Sequence, residues 1–172
     1  PGAPELRGFL RLRVGGMLRA MESTSDIVQS VCREILQHKD RFQYPGEDGF
    51  RRWLYTTALR KVSKRAEFYR AQRRDAARTV PLEDGGDDPQ ALLSCYGRFC
   101  SPSQAFQARE EVERIEGAFD QLPEHYREVI TLSRIAGLSH AEIAERTGRT
   151  EGSTRMLLFR ALEQLSELLD GE

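Results

Sequence analysis

A motif near the C-terminus decides the fold, because residues 137–155 read GLSHAEIAERTGRTEGSTR. Ser139, followed three residues later by Glu142, has the capping-box pattern that starts a helix. Gly148 lies in a tight turn after that short helix, and Thr150 is placed to cap a second helix. Two helices joined by a short turn that contains Gly are the pattern of a helix-turn-helix.

The second helix of this motif has one apolar face, which at about 100° per residue is its core face. The core face consists of Thr154, Leu158, Ala161, Leu162, Leu165 and Leu169. The outward face and a flank beside it carry Ser153, Arg155, Met156, Phe159 and Arg160. In a DNA-binding motif, outward residues near the start of this helix enter the major groove, where arginine suits guanine edges or phosphates. An ordinary helical hairpin within a bundle is the alternative that these residues alone leave open.

Length and composition exclude several classes of protein. The chain has 172 residues, 31% of them charged, and no stretch approaches the roughly 18 apolar residues of a membrane span. Three cysteines (Cys32, Cys95 and Cys100) are too few for a disulfide scaffold, and no histidine lies near enough in sequence to favour a zinc site. No Ser/His/Asp set or phosphate loop is present, so we expect no enzyme, metal or cofactor. No signal peptide is visible, and we expect a cytoplasmic protein with reduced thiols.

A stretch rich in Pro, Gly and acidic residues divides the chain into two modules. Residues 80–89 contain two Pro, two Gly and four acidic residues, which disfavours packed structure and predicts a linker. Residues 1–80 carry 17 Lys and Arg against 9 Asp and Glu, whereas residues 81–172 carry 9 against 18. The apolar residues of both modules have helical spacing and neither module alternates with period two. We therefore expect an all-α protein of two small helical domains.

The first module also contains sequence signals that predict helices. Ser23 and Asp26 match a capping box, with Ser25 and Asp26 as equal alternatives for the cap, and the apolar residues after them predict a helix that ends near residues 38–41. A long helix is predicted over residues 50–74, with a buried stripe that recurs at every fourth residue. Residues 6–21 have a weaker helical pattern because two adjacent glycines interrupt it.

The long helix of the first module carries a basic tract. Residues 60–78 contain eight Lys and Arg and only two acidic residues, and Phe68 and Tyr69 lie among them. Basic side chains bind phosphates, and aromatic rings stack on unpaired bases. The combination favours a nucleic-acid surface over a solvated helix face.

Taken together, the two modules resemble a known family. Residues 122–130 (LPEHYREVI), 137–144 (GLSHAEIA) and 151–155 (EGSTR) resemble region four of bacterial RNA polymerase sigma factors. Residues 26–31 (DIVQSV) and 50–58 (FRRWLYTTA) are similar to region two. The linker stands where region three is missing, which is the arrangement of the extracytoplasmic-function (ECF, group IV) subfamily.

The resemblance implies an architecture and a set of partners. Region two would span residues 6–78, a flexible acidic linker residues 79–104, and region four residues 105–169. Proteins of this family are initiation factors that bind core RNA polymerase, recognise two promoter elements and open the DNA. The expected partners are the clamp helices of the largest polymerase subunit, the flap of the second-largest subunit, promoter DNA and an anti-sigma protein.

The resemblance also implies roles for individual residues. The residues expected at the minus-ten element are Tyr44, Arg60, Lys61, Lys64, Arg65, Phe68, Tyr69, Arg73 and Arg74. Tyr44 could be a wall for a flipped base or a lid over the core, and Trp53 fits the core better than a base contact. The residues expected at the minus-thirty-five element are Ser153, Arg155, Met156, Phe159 and Arg160. The residues expected to bind core polymerase are Asp26, Gln29, Ser30, Arg33 and Glu34, with a solvated outer face as the alternative for each.

Three positions depart from the family pattern. Arg60 stands where relatives often have an Asn, and Met156 and Leu157 stand where they often have Ser and Arg. Neither Met nor Leu makes the usual hydrogen bonds to base edges, so an unusual, a shape-based or a weak minus-thirty-five preference is expected. The alternative function is a degenerate sigma-like protein that binds polymerase or a regulator without reading a promoter.

Overall fold

The computed structural model describes residues 3–19, 22–41, 46–72, 87–103 and 107–171, which form eight α-helices and, within these ranges, no strand. The prediction of an all-α fold is therefore confirmed. The chain divides into two compact units, Pro1–Gly86 and Asp87–Glu172. The helices are α1 (Ala3–Arg19), α2 (Thr24–Gln37), α3 (Gly46–Gln72), α4 (Pro89–Tyr96), α5 (Ala108–Gln121), α6 (Glu124–Ile130), α7 (His140–Thr147) and α8 (Glu151–Asp170).

In the first unit, α1, α2 and α3 pack against one another. The Ser23 side chain caps α2 by accepting a hydrogen bond from the Asp26 backbone N–H at 3.1 Å, so Ser23 is the cap among the three candidates. The Phe9 ring of α1 lies 4.6 Å from the Tyr55 ring of α3, centroid to centroid, at the centre of the core. The rest of this core is aliphatic and includes Leu6, Leu10, Ile27, Val31, Leu54, Ala58 and Val62. Because the apolar sides of α1, α2 and α3 are buried against one another, the polar sides of α2 and α3 face outward.

In the second unit, α8 packs against α5, α6 and α7, and α4 packs against α5. A π-helical turn, Thr131–Ile135, continues α6. Gly137, at φ +72°, ends this segment in the left-handed conformation that glycine adopts readily at the end of a helix. The helical segment therefore ends before Ser139, and α7 begins at His140.

The second half of the predicted linker is folded. Asp88 caps α4 by accepting a hydrogen bond from the Gln90 backbone N–H at 3.0 Å, and Pro89 occupies the first turn. The Tyr96 hydroxyl donates to Glu116 Oε1 of α5 at 2.6 Å inside the unit. Residues 87–103 thus belong to the second unit, because Asp-Pro here starts a helix and does not continue a loop. Residues 79–86 and 104 lie outside the described residues.

Two other helix boundaries differ from the predictions. Helix α3 begins at Gly46 and not at Phe50, because Glu47 and Asp48 in its first turn suit the positive end of the helix dipole. The sequence favours Pro123 as a first helical residue, where its missing N–H costs little, but Pro123 is the residue before α6.

A buried ion pair joins three parts of the second unit. The Glu111 side chain is fully buried and accepts hydrogen bonds from Arg114 Nε and Nη2, both at 2.8 Å. Glu111 also accepts from the Ser103 backbone N–H at 2.8 Å, and Arg114 Nη1 donates to the Leu169 carbonyl at 2.8 Å. The pair therefore links the segment before α5, α5 itself and the last turn of α8. The hydrogen bonds from Arg114 hold the pKa of Glu111 below its usual value, against the opposing effect of burial.

Within the described residues, none of the helices has the uninterrupted apolar length that crossing a lipid bilayer demands.

We predict that Glu111→Gln lowers the free energy of unfolding by about 3 kcal/mol at neutral pH, since it leaves a mostly buried guanidinium without its carboxylate. Because the pKa of Glu111 is lower in the folded state, its contribution is complete above the unfolded pKa and is lost as the pH falls through the folded one. Urea titrations from pH 7 to pH 3 should therefore show a smaller acid-induced loss in the variant than in the native chain.

Glu113→Gln is the matched control for this prediction. Glu113 lies on the same helix and pairs with Arg109 at 3.2 Å, but both side chains are largely exposed. An exposed pair of this kind contributes about 0.5 kcal/mol or less. Equal stabilities for the two variants would contradict a structural role for the buried pair.

Candidate nucleic-acid interface

Helix caps and one left-handed glycine fix the helix-turn-helix. The Ser139 side chain accepts from the Glu142 N–H at 3.2 Å, and the Glu142 carboxylate accepts from the Ser139 N–H at 2.8 Å. Gly148 ends α7 at φ +67°, and a Cβ there would meet no atom within 4 Å. The position needs glycine for its backbone angle and not for space. The Thr150 hydroxyl then accepts from the Ser153 N–H at 3.2 Å and starts α8.

The inner corner between α7 and α8 is buried as predicted. Ile143 and Ala144 of α7 are buried, and so are Thr154 and Leu158 of α8. The Thr154 hydroxyl donates to the Thr150 carbonyl at 3.0 Å, so its polar atom is satisfied inside the corner. The prediction of two packed helices joined by a tight turn is confirmed.

All five residues predicted for the minus-thirty-five element lie exposed on one side of α8. They are Ser153, Arg155, Met156, Phe159 and Arg160. Arg155 makes an ion pair with Glu151 at 3.2 Å, with both side chains more than half exposed. A pair this exposed costs little to break, so the guanidinium can move to another anion.

The basic tract on α3 is divided between two sides of the helix. Arg60, Lys64 and Phe68 lie four residues apart along an exposed stripe. Lys61 and Arg65 lie on the adjoining flank, where each is half-buried and paired with a carboxylate of the same unit. The predicted set therefore separates into cations that face solvent and cations that already have a partner.

Lys61 connects α3 to α2. Its Nζ donates to Glu34 Oε2 at 2.9 Å and to the Ser30 hydroxyl at 3.0 Å. The hydrogen bond from Lys61 is the main cause that holds the pKa of Glu34 below its usual value. Arg65 likewise makes an ion pair with Glu22, just before α2. One residue predicted to bind DNA thus bonds to two predicted to bind polymerase.

The remaining predicted polymerase-binding residues are exposed on α2. Asp26, Gln29 and Arg33 follow one another along its outer side. Leu36, 69% exposed, lies one turn beyond Arg33 on the same side. A single exposed apolar residue is common on soluble proteins, so Leu36 alone does not define a binding surface.

Comparison with known proteins identifies the family. The family model for sigma-70, region 4, matches residues 113–165, which run from α5 into α8. The ECF RNA polymerase sigma factor SigD of Mycobacterium tuberculosis is 31% identical over 159 residues, which cover 92% of this chain and 69% of that protein. The ECF RNA polymerase sigma-E factor of Haemophilus influenzae is 30% identical, over 89% of this chain and 79% of that protein. The chain belongs to the ECF RNA polymerase sigma factors.

A third relative agrees with this assignment. The ECF RNA polymerase sigma factor SigF of Caulobacter vibrioides is 28% identical over 94% of this chain and 78% of that protein. No solved structure matches the chain significantly. As a sigma factor the chain is a transcription initiation factor, which confirms the resemblance seen in its sequence.

Three of the residues predicted for the minus-ten element lie outside the described residues of the sigma factor: Tyr44, Arg73 and Arg74. Tyr69 is half-buried, and its ring meets the Phe68 ring edge-on at 5.4 Å. Trp53 is also half-buried and lies 6.2 Å from the Phe50 ring.

Arg149 and Leu36 are exposed residues that the sequence analysis did not assign to a site. Arg149 lies in the turn directly before α8, so its charge adds to the positive end of that helix. A cation in the turn before a recognition helix was the signal that could have identified it. No comparable signal marked Leu36, because its place in the apolar pattern of α2 suggests the core.

Large exposed apolar side chains are confined to the predicted binding sides. Among the described residues they are Leu36 on α2, Phe68 on α3, and Met156 and Phe159 on α8. Single exposed apolar residues are common on soluble proteins, so Leu36 and Phe68 do not by themselves mark a binding surface. Met156 and Phe159 differ from them because they lie within one turn of each other on the same helix.

The three cysteines are free thiols, and burial makes the Cys100 thiol hard to deprotonate. Burial raises the pKa of the Cys100 thiol to about 12, and its Sγ donates to the Tyr96 carbonyl at 3.3 Å. The described residues contain no group of His, Cys, Asp and Glu side chains that could hold a metal ion.

We predict that Lys61→Met lowers the free energy of unfolding of the first unit by about 1 kcal/mol, because Glu34 loses a hydrogen-bonded cation. Lys64→Met is the matched variant on the exposed side of α3 and should stay within about 0.5 kcal/mol of the native chain. Thermal and urea unfolding followed by circular dichroism measure both. If the two substitutions change the free energy of unfolding equally, the structural role assigned to Lys61 is wrong.

Proposed function

We propose that this sigma factor directs promoter-specific initiation through one DNA-binding side in each unit. The exposed stripe of α3 binds the minus-ten element, and the exposed side of α8 binds the minus-thirty-five element. The outer side of α2 docks on the clamp helices of the largest polymerase subunit, and the second unit binds the flap of the second-largest. Core polymerase then holds both units on one promoter while the DNA opens.

The observation that carries this proposal is the exposed side of α8. The caps at Ser139 and Thr150 and the left-handed Gly148 let the chain enter α8 without covering the outer side of its first turns, where Ser153, Arg155, Met156, Phe159 and Arg160 are exposed. Two arginines on this side can bind phosphates or guanine edges.

The contacts on α3 refine the roles proposed for its basic tract. Arg60 and Lys64 bind the phosphate backbone, because they are exposed and make no ion pair within the described part of the chain. Phe68, 57% exposed, is the ring available to stack on an unpaired base. Lys61 and Arg65 act mainly by holding α3 on the segment that contains Glu22 and α2.

The contacts on α2 narrow its proposed polymerase-binding surface in the same way. Asp26, Gln29 and Arg33 supply exposed polar groups, and Leu36 adds apolar area beside them. Ser30 and Glu34 lie at the edge of this surface, where Lys61 holds them in place. An anti-sigma protein that covered this side would prevent polymerase binding, and we propose that such a protein restrains the sigma factor in the cytoplasm.

The direct test is transcription in vitro from a fragmented genomic library with core polymerase and the purified chain. We expect transcripts that begin at defined positions only when the chain is present. Arg155→Ala combined with Arg160→Ala should weaken protection of the upstream element, by about 1–3 kcal/mol for each arginine that contacts a base.

The outcome that contradicts the proposal is equally defined. If the chain binds core polymerase but yields no promoter-specific transcript, it is a sigma-like protein that does not read promoters. An unchanged upstream footprint in the double variant would remove the two arginines from the site. Ser166→Ala, an exposed change near the far end of α8, controls for general effects on that helix.

We predict that Arg60→Ala and Lys64→Ala each lower the salt dependence of promoter binding. Each lost phosphate contact should reduce the slope of log K against log salt concentration by about 0.7–0.9. Arg65→Ala should change the slope less, because Glu22 already neutralises that guanidinium. Binding of the reconstituted holoenzyme to promoter DNA, measured from about 50 to 200 mM salt, gives the slopes.

Lys39→Ala is the control for this comparison, because Lys39 is exposed just beyond α2 and outside the proposed surfaces. Its slope should match that of the native chain. If Arg65→Ala lowers the slope as much as Lys64→Ala does, the division of the tract into paired and solvent-facing cations has no consequence for binding.

A further inference from the structure

Two large apolar side chains occupy the exposed side of α8. Met156 is 52% exposed and Phe159 62% exposed, and they lie one turn apart on the same side of the helix. Arg155 and Arg160 are exposed beside them. The opposite side of the helix is the buried core face, so neither apolar residue is needed for packing within the unit.

A thioether and a phenyl ring cannot read base edges by strong hydrogen bonds, because neither carries a strong donor or acceptor. The major groove nevertheless contains one apolar feature, the C5-methyl group of thymine. An apolar side chain that covers this methyl group removes it from water and distinguishes thymine from the other bases. Among the chemical groups exposed in the major groove, the thymine methyl group is therefore the one that suits Met156 and Phe159.

We propose that Met156 and Phe159 determine promoter specificity by binding thymine methyl groups in the upstream element. This inference rests on the proposed function, since it requires α8 to enter the major groove. The two residues are about 4.5 Å apart along the helix axis, close to the 3.4 Å rise of one base pair. Methyl groups on neighbouring base pairs therefore fall within reach of both side chains.

The arginines beside the two residues support DNA as the occupant of this surface. Arg155 and Arg160 bracket the apolar pair, and Arg149 lies in the turn before the helix. Cations that bind phosphates at the edges of the groove would direct the apolar pair towards the base edges between them. The same cations would repel a basic partner, and a wholly apolar partner would leave them unpaired and desolvated.

The experiment starts with the reconstituted holoenzyme of native chain and core polymerase. It selects an upstream element from a promoter library randomised at that element. Each thymine of the selected element, on both strands, is then replaced by uracil, which lacks only the methyl group. We expect at least one replacement to weaken binding by about twofold to fourfold, the value for a buried methyl group. Thymine replaced outside the element serves as the control and should have no effect.

Variants of α8 then assign the effect to its side chains. Met156→Gln keeps the length of the side chain and makes it polar, and Phe159→Ala removes the ring. Each should bring the thymine-to-uracil affinity ratio closer to one. Met156→Leu, which stays apolar, and Ser166→Ala, at the far end of the helix, should preserve the ratio. Because both substituted residues are exposed, circular dichroism should show an unchanged fold.

Three outcomes overturn the inference while the proposed function stands. They are a selected element without thymine, full affinity with uracil throughout, and a thymine-to-uracil ratio that neither Met156→Gln nor Phe159→Ala changes. A library from which no element is enriched is a different result. That outcome contradicts promoter reading itself, and it appears before any thymine is replaced.

Discussion

The function of the second unit depends on one constraint: α8 must bury one side completely while its first turns keep the other side open. Thr154, Leu158, Ala161 and Leu165 satisfy the first half of this constraint by packing against α5, α6 and α7. The left-handed Gly148 satisfies the second half, because it reverses the chain in so few residues that no loop covers the start of α8. The ion pair between Glu111 and Arg114 secures the opposite end of the same helix through the Leu169 carbonyl.

In the first unit, the position of each cation determines its role more than its residue type does. Lys61 and Lys64 lie less than one helical turn apart, yet one bonds to two residues of α2 and the other faces solvent. On the flank of α3 that meets α2, carboxylates of the same unit neutralise the cations. On the outer stripe of α3, the cations remain available to an external anion. A basic tract can therefore contain cations that are already paired within the protein, and its net charge alone overestimates the charge available to an external anion.

Much of this molecule could be predicted from its sequence. The caps at Ser23, Ser139 and Thr150 and the left-handed glycines are local features, so their residues alone indicate them. The exposed side of α8 followed from helical periodicity, and the family followed from two motif blocks in the correct order. The predicted linker was too long because α4 has only eight residues and directly follows a stretch rich in Pro, Gly and acidic residues. Its burial depends on Tyr96 meeting Glu116 of α5, a contact that no local pattern reveals. The pairing of Lys61 with Glu34 was hidden for the same reason, since it depends on how α3 packs against α2.

The packing of α4 has a consequence for protein engineering. Chimeric sigma factors are made by joining the first domain of one protein to the second domain of another. A junction placed at residue 104, at the end of the predicted linker, would leave Glu116 and the buried surface of α5 without α4. A graft that begins at Asp87 carries α4, its cap and its hydroxyl-to-carboxylate bond together. Exchange of the minus-thirty-five preference proposed for α8 would thus require moving five helices, α4 to α8, as one cassette.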